Sequence, residues 1–567
     1  MLRGHLTIRL CFACLAMLLA LPGSAVAAIG IESFSLSTST AQAGTHPDLN
    51  ADFAFEEPGE PETAKEAAVE LPPGYWIYRD EMTRCTASQL AMSNCPISSQ
   101  VGVATIHGNH EGDPDFELGM APIYMMPPGN GDLARFGFVI PIVDATVEVP
   151  VMLDPSSGYS SLLLFEGLPE TMPVKSIEFE LWGIPASPVH DAMRFPIIPG
   201  GRPSNVPQAP FTRNPTACGS TGVTTLNARS YEDSSSVSSW LAASPTTSDC
   251  NKLSFEPLLG LQLSATETST ASGLDLELGS PADLTPQGLS APDTKALLAA
   301  APAGLQVDEA TASIRSACTL AQAHLDDIAP AECPAGSKLG AFAAAVGGIE
   351  PLLEGSVYFG GAESPGNYRL FLVTTTADVN LKLPAILAGG AESTEIEIVE
   401  IPQIPLEELD IQVDPSTALL VTAPECGVFS TLAEASNWSD PFLASFAEFE
   451  FTIDSGPGGT PCPKPGEGKQ SGAAPPAATS APPHKPAVKL LRHPPHRGHD
   501  RTPSFRFTST VAGNTLKCKL DRRQWHPCHS PLTLRRLSPG SHAFRVRAIG
   551  PAGEESAATT YRFVVVP

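Results

Sequence analysis

One stretch of the chain occurs twice, and it limits what the chain can fold into more than any other feature. The first copy, Cys85 to Gly102, reads CTASQLAMSNCPISSQVG, and the second, Cys318 to Gly340, reads CTLAQAHLDDIAPAECPAGSKLG. Each opens Cys-Thr-x-x-Gln and closes Cys-Pro-x-x-Ser-[Gln/Lys]-[Val/Leu]-Gly. Thr86 with Gln89, and Thr319 with Gln322, fit a capping box, in which the N-cap hydroxyl and the N3 amide satisfy backbone N–H groups that a helix start leaves unpaired. The pattern predicts a short capped helix between two cysteines, a turn at Cys-Pro, and then a strand.

The likeness spreads outward from this block. SLSTSTAQAG (35–44) is echoed by LSATETSTASG (263–273), and Pro72-Pro73-Gly74 by Ala301-Pro302-Ala303-Gly304. Val357-Tyr358 answers Ile123-Tyr124, and an Arg follows each Tyr at the same spacing (Arg135, Arg369). Pro173 to Leu181 matches Pro405 to Val413, and Asn214 to Gly219 resembles Thr422 to Gly427. Each is followed by Ser/Thr-rich segments, a Trp (Trp240, Trp438) and a closing cysteine. A period of about 200 residues is a tandem domain duplication, not a solenoid of small repeats. The expected units are 28–260 and 261–462. Only the first carries an insertion, from Gly183-Ile184-Pro185-Ala186 through His190-Asp191 and Arg194 to Asn214.

The units read as β structure. Apolar residues fall at every second position in Val147 to Leu153, and they alternate with glutamate in Ile177 to Leu181. Phe53 and Phe55 also alternate with small or charged residues. Period two with an acidic outer face predicts antiparallel sheets with one wet side. The fold class expected is all-β: tandem β-sandwich units with short disulfide-tethered helices, and a small β-sandwich at the C-terminus.

Residues 1–27 read as a secretory signal, with Arg3 and Arg9, the apolar run Leu10 to Leu21, and Ala25-Val26-Ala27 as a small-residue cleavage site. That run is short for a bilayer span, and no later stretch reads as a transmembrane anchor. Of 12 cysteines, Cys11 and Cys14 lie in this segment. The remaining even number suits disulfides in an exported chain. Sequential pairing is the simplest framework: Cys85–Cys95, Cys218–Cys250, Cys318–Cys333, Cys426–Cys462 and Cys518–Cys528. Sequence leaves the connectivity open, and the repeat favours the pairs that recur. Zinc is the rival use of the cysteines, but no Cys-x-x-Cys pair remains after the signal. No cofactor is expected.

From Pro463 the composition turns to Pro, Ala, Gly, Lys and His, which predicts an extended linker over 463–499. A last domain follows over 500–567. Its core is small, and a Cys518–Cys528 bridge adds roughly 2–3 kcal/mol by loop entropy.

Two resemblances rest on these residues. STSTAQAG-x-HPDL, the Cys-Thr-x-x-Gln-Leu…Cys-Pro-x-x-Ser-Gln-Val-Gly block and GIPA-x-x-x-HD-x-x-R make residues 29–462 resemble a family of large secreted β-rich proteins of high-GC bacteria. That resemblance implies export and β structure and brings no activity. Residues 504–566 resemble bacterial Ig-like or fibronectin-III-like modules through Phe505-x-Phe507-x-Ser509, Cys518-x-Leu520-Asp521, Cys528-x-Ser530-Pro531 and Leu537-x-x-Gly540-x-His542-x-Phe544-x-Val546-Arg547-Ala548. Lys and Arg stand where such modules carry small polar residues, which implies a different contact surface.

Candidate polar residues gather in unit one. His46, Asp48, His190, Asp191 and Arg194 have the chemistry of a metal or acid/base site; the plain alternative is a loop in which Asp191 caps a turn and pairs with Arg194. His107, His110, Glu111, Asp113 and Asp115 have ligand types for a divalent cation, in a spacing that matches no zinc-protease motif. There is no Gly-x-Ser-x-Gly elbow, P-loop or dinucleotide fingerprint. The expected function is therefore a non-enzymatic, secreted or cell-surface structural or adhesion protein. The alternatives are a binder of carbohydrate or another envelope polymer, and a hydrolase using the His190 loop. Charge points to a partner. Residues 28–462 hold 15 Lys and Arg against 56 Asp and Glu, and residues 463–567 hold 17 against 5, so the net −27 hides a basic tail on an acidic body. The tail suits an anionic envelope polymer or the protein's own acidic units, the envelope being favoured because the linker lets the tail reach away from the body, and nucleic acid suits neither export nor the acidic body.

Overall fold

The computed structural model describes residues 29–462 and 488–566, except 57–62, 80–81, 111–112, 220–221, 281–284, 301–304, 375–378 and 390–393. In the last domain it also omits 493, 495–496, 499–500, 502, 510–514, 522, 529, 531, 535–536 and 551–554. The signal segment, the turn at Ala301 to Gly304 and the linker up to residue 487 lie outside the described residues.

In chain order the strands of unit one are β1 (Ile31–Thr38), β2 (Leu49–Phe55), β3 (Ala64–Glu70), β4 (Trp76–Ile77), β5 (Gln100–His110), β6 (Asp113–Met125) and β7 (Asp132–Ile140). They continue with β8 (Ala145–Asp154), β9 (Ser160–Phe165), β10 (Val174–Leu181), β11 (Thr212–Arg213), β12 (Val223–Ser230) and β13 (Ser238–Ala243). Eleven of them form one sheet, in the order β1-β2-β10-β5-β6-β7-β8-β9-β3-β12-β13, and β4 pairs with β11. β1 and β13, at opposite ends of this order, lie against each other. The sheet therefore curls over itself into a sandwich-like shell. The period-two pattern drives this: β2 buries Leu49, Ala51, Phe53 and Phe55 and leaves Asn50, Asp52 and Ala54 half-exposed.

Unit two, from β14 (Leu258–Leu263) to β26 (Ala444–Ile453), repeats the order with thirteen added to every label. The repetition extends to register. Gln100 faces Tyr124 and Gly102 faces Ile123, with a bulge between; Lys338 faces Tyr358 and Gly340 faces Val357, with a bulge at the same place. Tyr124 faces Gly137 and Tyr358 faces Phe371, so Arg135 and Arg369 hold equivalent positions. Both capping boxes form, at Thr86 and Thr319. Both motifs end in Gly for one reason: a Cβ at Gly102 or Gly340 would collide with the carbonyl of Glu180 or Gln412 on the neighbouring strand. The five disulfides join the cysteines in sequential pairs.

Several expectations need correction. β2 and β15 (Leu274–Gly279) both begin at the residue that pairs with strand β10 or its counterpart β23 (Leu406–Val413) at Leu181 or Val413. The echo of SLSTSTAQAG in LSATETSTASG is thus two residues out of register, because the low-complexity text aligns by composition. Trp240 sits in β13, whereas Trp438 follows the strand Gly427–Asn437, so the two tryptophans are not counterparts. The second unit begins at Leu258, before residue 261. The linker is shorter than 463–499: Val488–Arg492 pairs with Ser504–Ser509, and Arg497–Gly498 pairs with Thr559–Val565. Val488 and Leu490 supply apolar cover that the Pro- and Lys-rich surroundings hid. The last domain has sheets of three and five strands around Phe505, Phe507, Phe544 and Phe563.

The two units share one apolar core and a buried polar joint. Arg213 of β11 donates from both terminal nitrogens to the Asp293 carboxylate at 2.8 Å, with side chains 0% and 1% exposed. The Thr216 hydroxyl donates to Asp293 and accepts from its N–H. The Trp76 indole donates to the Gly347 carbonyl at 2.8 Å, and the Lys382 N–H donates to the Tyr159 hydroxyl at 2.7 Å. A buried ion pair that loses one partner costs about 3–5 kcal/mol, because the other charge is left uncompensated. Asp293→Ala is expected to destabilise the two-unit body by about that amount, read as a lower urea midpoint; an unchanged midpoint contradicts the assignment.

Candidate functional site

The polar residues singled out from sequence divide into two groups. Asp48 ends the turn that leads into β2, where its N–H is bound by the Ser39 hydroxyl and its carboxylate accepts from the Gly183 N–H at 2.8 Å. Gly183 has no room for a side chain, since a Cβ would meet the carbonyls of His46 and Pro47. The GIPA glycine thus lets the insertion press against the HPD turn. His190 lies on the 3-10 helix Pro188–Met193 and is 3% exposed. Its ring stacks flat on Trp182, with centroids 4.6 Å apart and planes 8° apart. Its Nε2 lies 3.4 Å from Asp48 Oδ1.

Glu180, which sequence reasoning assigned only to the wet face of β10, completes the group. Ligand atoms of Asp48, Glu180 and His190 all lie within 4.8 Å of one another. Burial pushes the Asp48 carboxyl up, but nearby His190 and the Gly183 N–H outweigh it and hold the group below its ordinary value. Burial and the Asp48 charge push the Glu180 carboxyl up, and His190 and Trp182 only partly oppose them. The Trp182 indole is fully buried on the Glu180 side, and its N–H completes no hydrogen bond.

Asp191 and Arg194 form the second group, and their work is structural. Arg194 is 1% exposed. It donates to the carbonyls of Arg202, Pro185 and Ser187 and to Asp191 Oδ1 at 3.3 Å. This is the turn-and-pair arrangement, extended into a knot that closes the insertion. Gln100 adds to it, donating to Met193 O and accepting from Phe195 N–H. His46 stands outside the cluster, at 2.9 Å from the Thr212 carbonyl and edge-on to Tyr78. His107 is half-buried in β5 opposite Glu117. The side chains of His110, Glu111 and Asp115 lie outside the described residues.

Unit two lacks this site. Register places Gly273 and Gln412 where unit one has Asp48 and Glu180. The insertion over 182–211 is replaced by the short turn 414–419. An acidic cluster of Asp275, Glu277 and Asp410 lies on the matching strands instead.

A second feature lies between the units: a cleft of about 370 Å³ walled by Tyr159, Trp438, Pro73 and Pro402, with Asp326, Glu400 and Gln403 as polar lining. Lys382 is held there by the carbonyls of His324, Asp327 and Ala329, which it reaches at 2.5, 2.7 and 2.5 Å.

No family model matches the chain, and no curated protein matches it. Among solved structures it is similar to dimeric latent PorU from Porphyromonas gingivalis, at 9% identity over 94% of this chain and 34% of that chain, with a TM-score of 0.17. It is also similar to trypsin-activated alpha-2-macroglobulin from Escherichia coli, at 8% identity over 94% of this chain and 42% of that chain, with a TM-score of 0.11. The chain spans less than half of either protein, and likenesses this loose bear on neither fold nor function.

Asp52, opposite Glu178 across β2 and β10, offers a pH test beside the site. Burial and the Glu178 charge raise its carboxyl above the ordinary value of 3.8. A raised acid keeps its proton in the fold after the unfolded chain has lost it, so its penalty appears as pH rises past that value. Asp52→Asn is expected to stabilise the protein by about 0.2–1 kcal/mol at pH 7, the range for a cross-strand charge pair, and to make no difference below about pH 3.8. Thermal melts across pH check this, and a gain that persists in acid contradicts it.

Proposed function

We propose that the chain is an exported, non-catalytic multidomain β protein that serves structure or adhesion at the cell surface or in its surroundings. The observation that carries this reading is the set of five disulfides, each closed within one unit or domain. Such bonds persist in oxidising compartments. The buried joint between the units supports the same reading, since a body that holds a fixed shape suits a scaffold. No helix among the described residues is long and apolar enough to cross a membrane.

The basic end is the part assigned to the envelope. In the last domain, which resembles Ig-like modules, Lys519 and Arg547 both lie over the Trp525 ring, at 5.2 and 4.4 Å. Arg547 is also paired with Glu555, so Lys519 is the cation on this aromatic face that suits an anionic polymer. Residues 485–567 then hold the acidic body to the envelope through many weak contacts. These are screened beyond about 8 Å at physiological salt. Full-length protein is expected to sediment with envelope fragments and to be released as salt rises, while a chain ending at Cys462 stays in solution. Equal sedimentation of the shortened chain, or retention that ignores salt, overturns the assignment.

The inter-unit cleft favours a second reading, the binding of an envelope saccharide, because Trp438 lines it beside the carboxylates of Asp326 and Glu400. Trp438→Ala is expected to weaken binding to purified envelope polysaccharide at least about tenfold, the loss for roughly 1.4 kcal/mol. Unchanged binding removes this reading.

A further inference from the structure

We propose that Asp48, Glu180 and His190 of unit one bind a single divalent transition-metal ion. This goes beyond the reading above, which assigns the protein no metal. The donor set is one imidazole nitrogen and two carboxylate oxygens, drawn from three separate segments of chain: the turn before β2, strand β10 and the insertion. One nitrogen with two oxygens suits zinc or manganese better than magnesium, which prefers oxygen alone.

The spacing fits. His190 Nε2 stands 3.4 Å from Asp48 Oδ1, beyond the usual 2.7–3.2 Å range of an N–H···O hydrogen bond. A tetrahedral ion with bonds of about 2.0–2.1 Å holds its ligand atoms roughly 3.3–3.4 Å apart. All three ligand atoms lie within 4.8 Å, so one ion reaches them with small side-chain adjustments. The Asp48 side chain is 28% exposed, which leaves an open side for water.

The surroundings supply an independent observation. Trp182 is fully buried, and its indole N–H is aimed at Glu180 but falls short of a full hydrogen bond to it. A buried donor of this kind costs free energy unless something accepts from it. An oxygen of a metal-bound water, or the Glu180 oxygen once drawn onto an ion, is an acceptor in the right place. Trp182 also stacks on the His190 ring and fixes its plane, as outer groups do around metal ligands. The fold does not require these side chains, because unit two builds the same sheet with Gly273 and Gln412 in place of Asp48 and Glu180.

The test uses the full-length chain, stripped with chelator and titrated separately with zinc, manganese and calcium chloride by calorimetry, with bound metal counted by mass spectrometry. One equivalent of zinc or manganese is expected, with a rise in melting temperature and weaker binding of calcium. Glu180→Gln and His190→Gln are each expected to weaken that binding at least about tenfold. Asp191→Asn, a neighbouring carboxylate outside the cluster, should leave it unchanged. Circular dichroism and the melting temperature of metal-free protein show whether each variant folds, and Glu180→Gln decides the matter if His190→Gln does not. Absence of a one-equivalent site, or a site that survives Glu180→Gln undiminished, overturns the proposal. Binding retained by His190→Gln with native circular dichroism does the same and points to the histidines near the C-terminus.

Discussion

The Arg213–Asp293 pair is the interaction on which the arrangement of the body depends. Both side chains are buried, and their removal from water is offset because the fork of Arg213 meets both carboxylate oxygens, with Thr216 and the Gly74 carbonyl taking further bonds. That geometry tolerates little sliding, so the pair fixes one docking angle where apolar contact alone would permit several. It is also one-sided. Arg213 faces Trp76 in the β4–β11 pair, and the counterparts in unit two are Val421 facing Gln306. Unit two thus lacks the Trp and the Arg with which unit one grips it. A head-to-tail contact that repeats builds an open chain of units. Here the contact stops after one step, because the gripping face exists only once.

Much of the fold was legible in the sequence for reasons of period and packing. Alternation in β2, β8 and β10 gave strand positions, since one face of each lies against a sealed interior. The Cys-Thr-x-x-Gln block gave both helices, because the capping box is satisfied within four residues and needs nothing from the rest of the chain. Sheet order was not legible: β10 inserts between β2 and β5, and β3 pairs with β9 and β12, through contacts distant in sequence. The first strand of the last domain escaped for a different reason. In Val488 to Arg492 the described apolar side chains that pack inward, Val488 and Leu490, stand amid proline and basic residues, so composition outweighed period.

The site was half legible. His190 and Asp48 stood out by residue type, and the structure brings them together. Arg194 stood out equally, yet it is bound to the carbonyls of its own loop and lies over the Trp182 ring, outside the cluster. Glu180 was hidden because an acid in an alternating strand is the ordinary pattern of a solvated face. Only the insertion changes its surroundings, by laying Trp182 and His190 against a strand that elsewhere meets water. Gln100 shows the same dependence. It is buried and hydrogen-bonded to the insertion, whereas its counterpart Lys338, with no insertion to hold, is exposed.

These dependences explain how two copies of one fold came to differ in chemistry without differing in sheet structure. A polar side chain on the outer face of a strand costs little while it is solvated, so positions such as 48 and 180 can vary freely. Covering that face changes the balance, since each buried polar group then needs a partner. The insertion meets this need internally. Arg194 satisfies three carbonyls of its own loop, and Gln100 satisfies two further backbone groups. The loop therefore brings its own hydrogen bonds to the sheet and asks little of β2 and β10. Asp48 and His190 remain turned toward each other and toward Glu180, held in place by groups that take no part in the cluster. Unit two, with a short turn in place of the insertion, leaves Gln412 exposed and has no such enclosure to build.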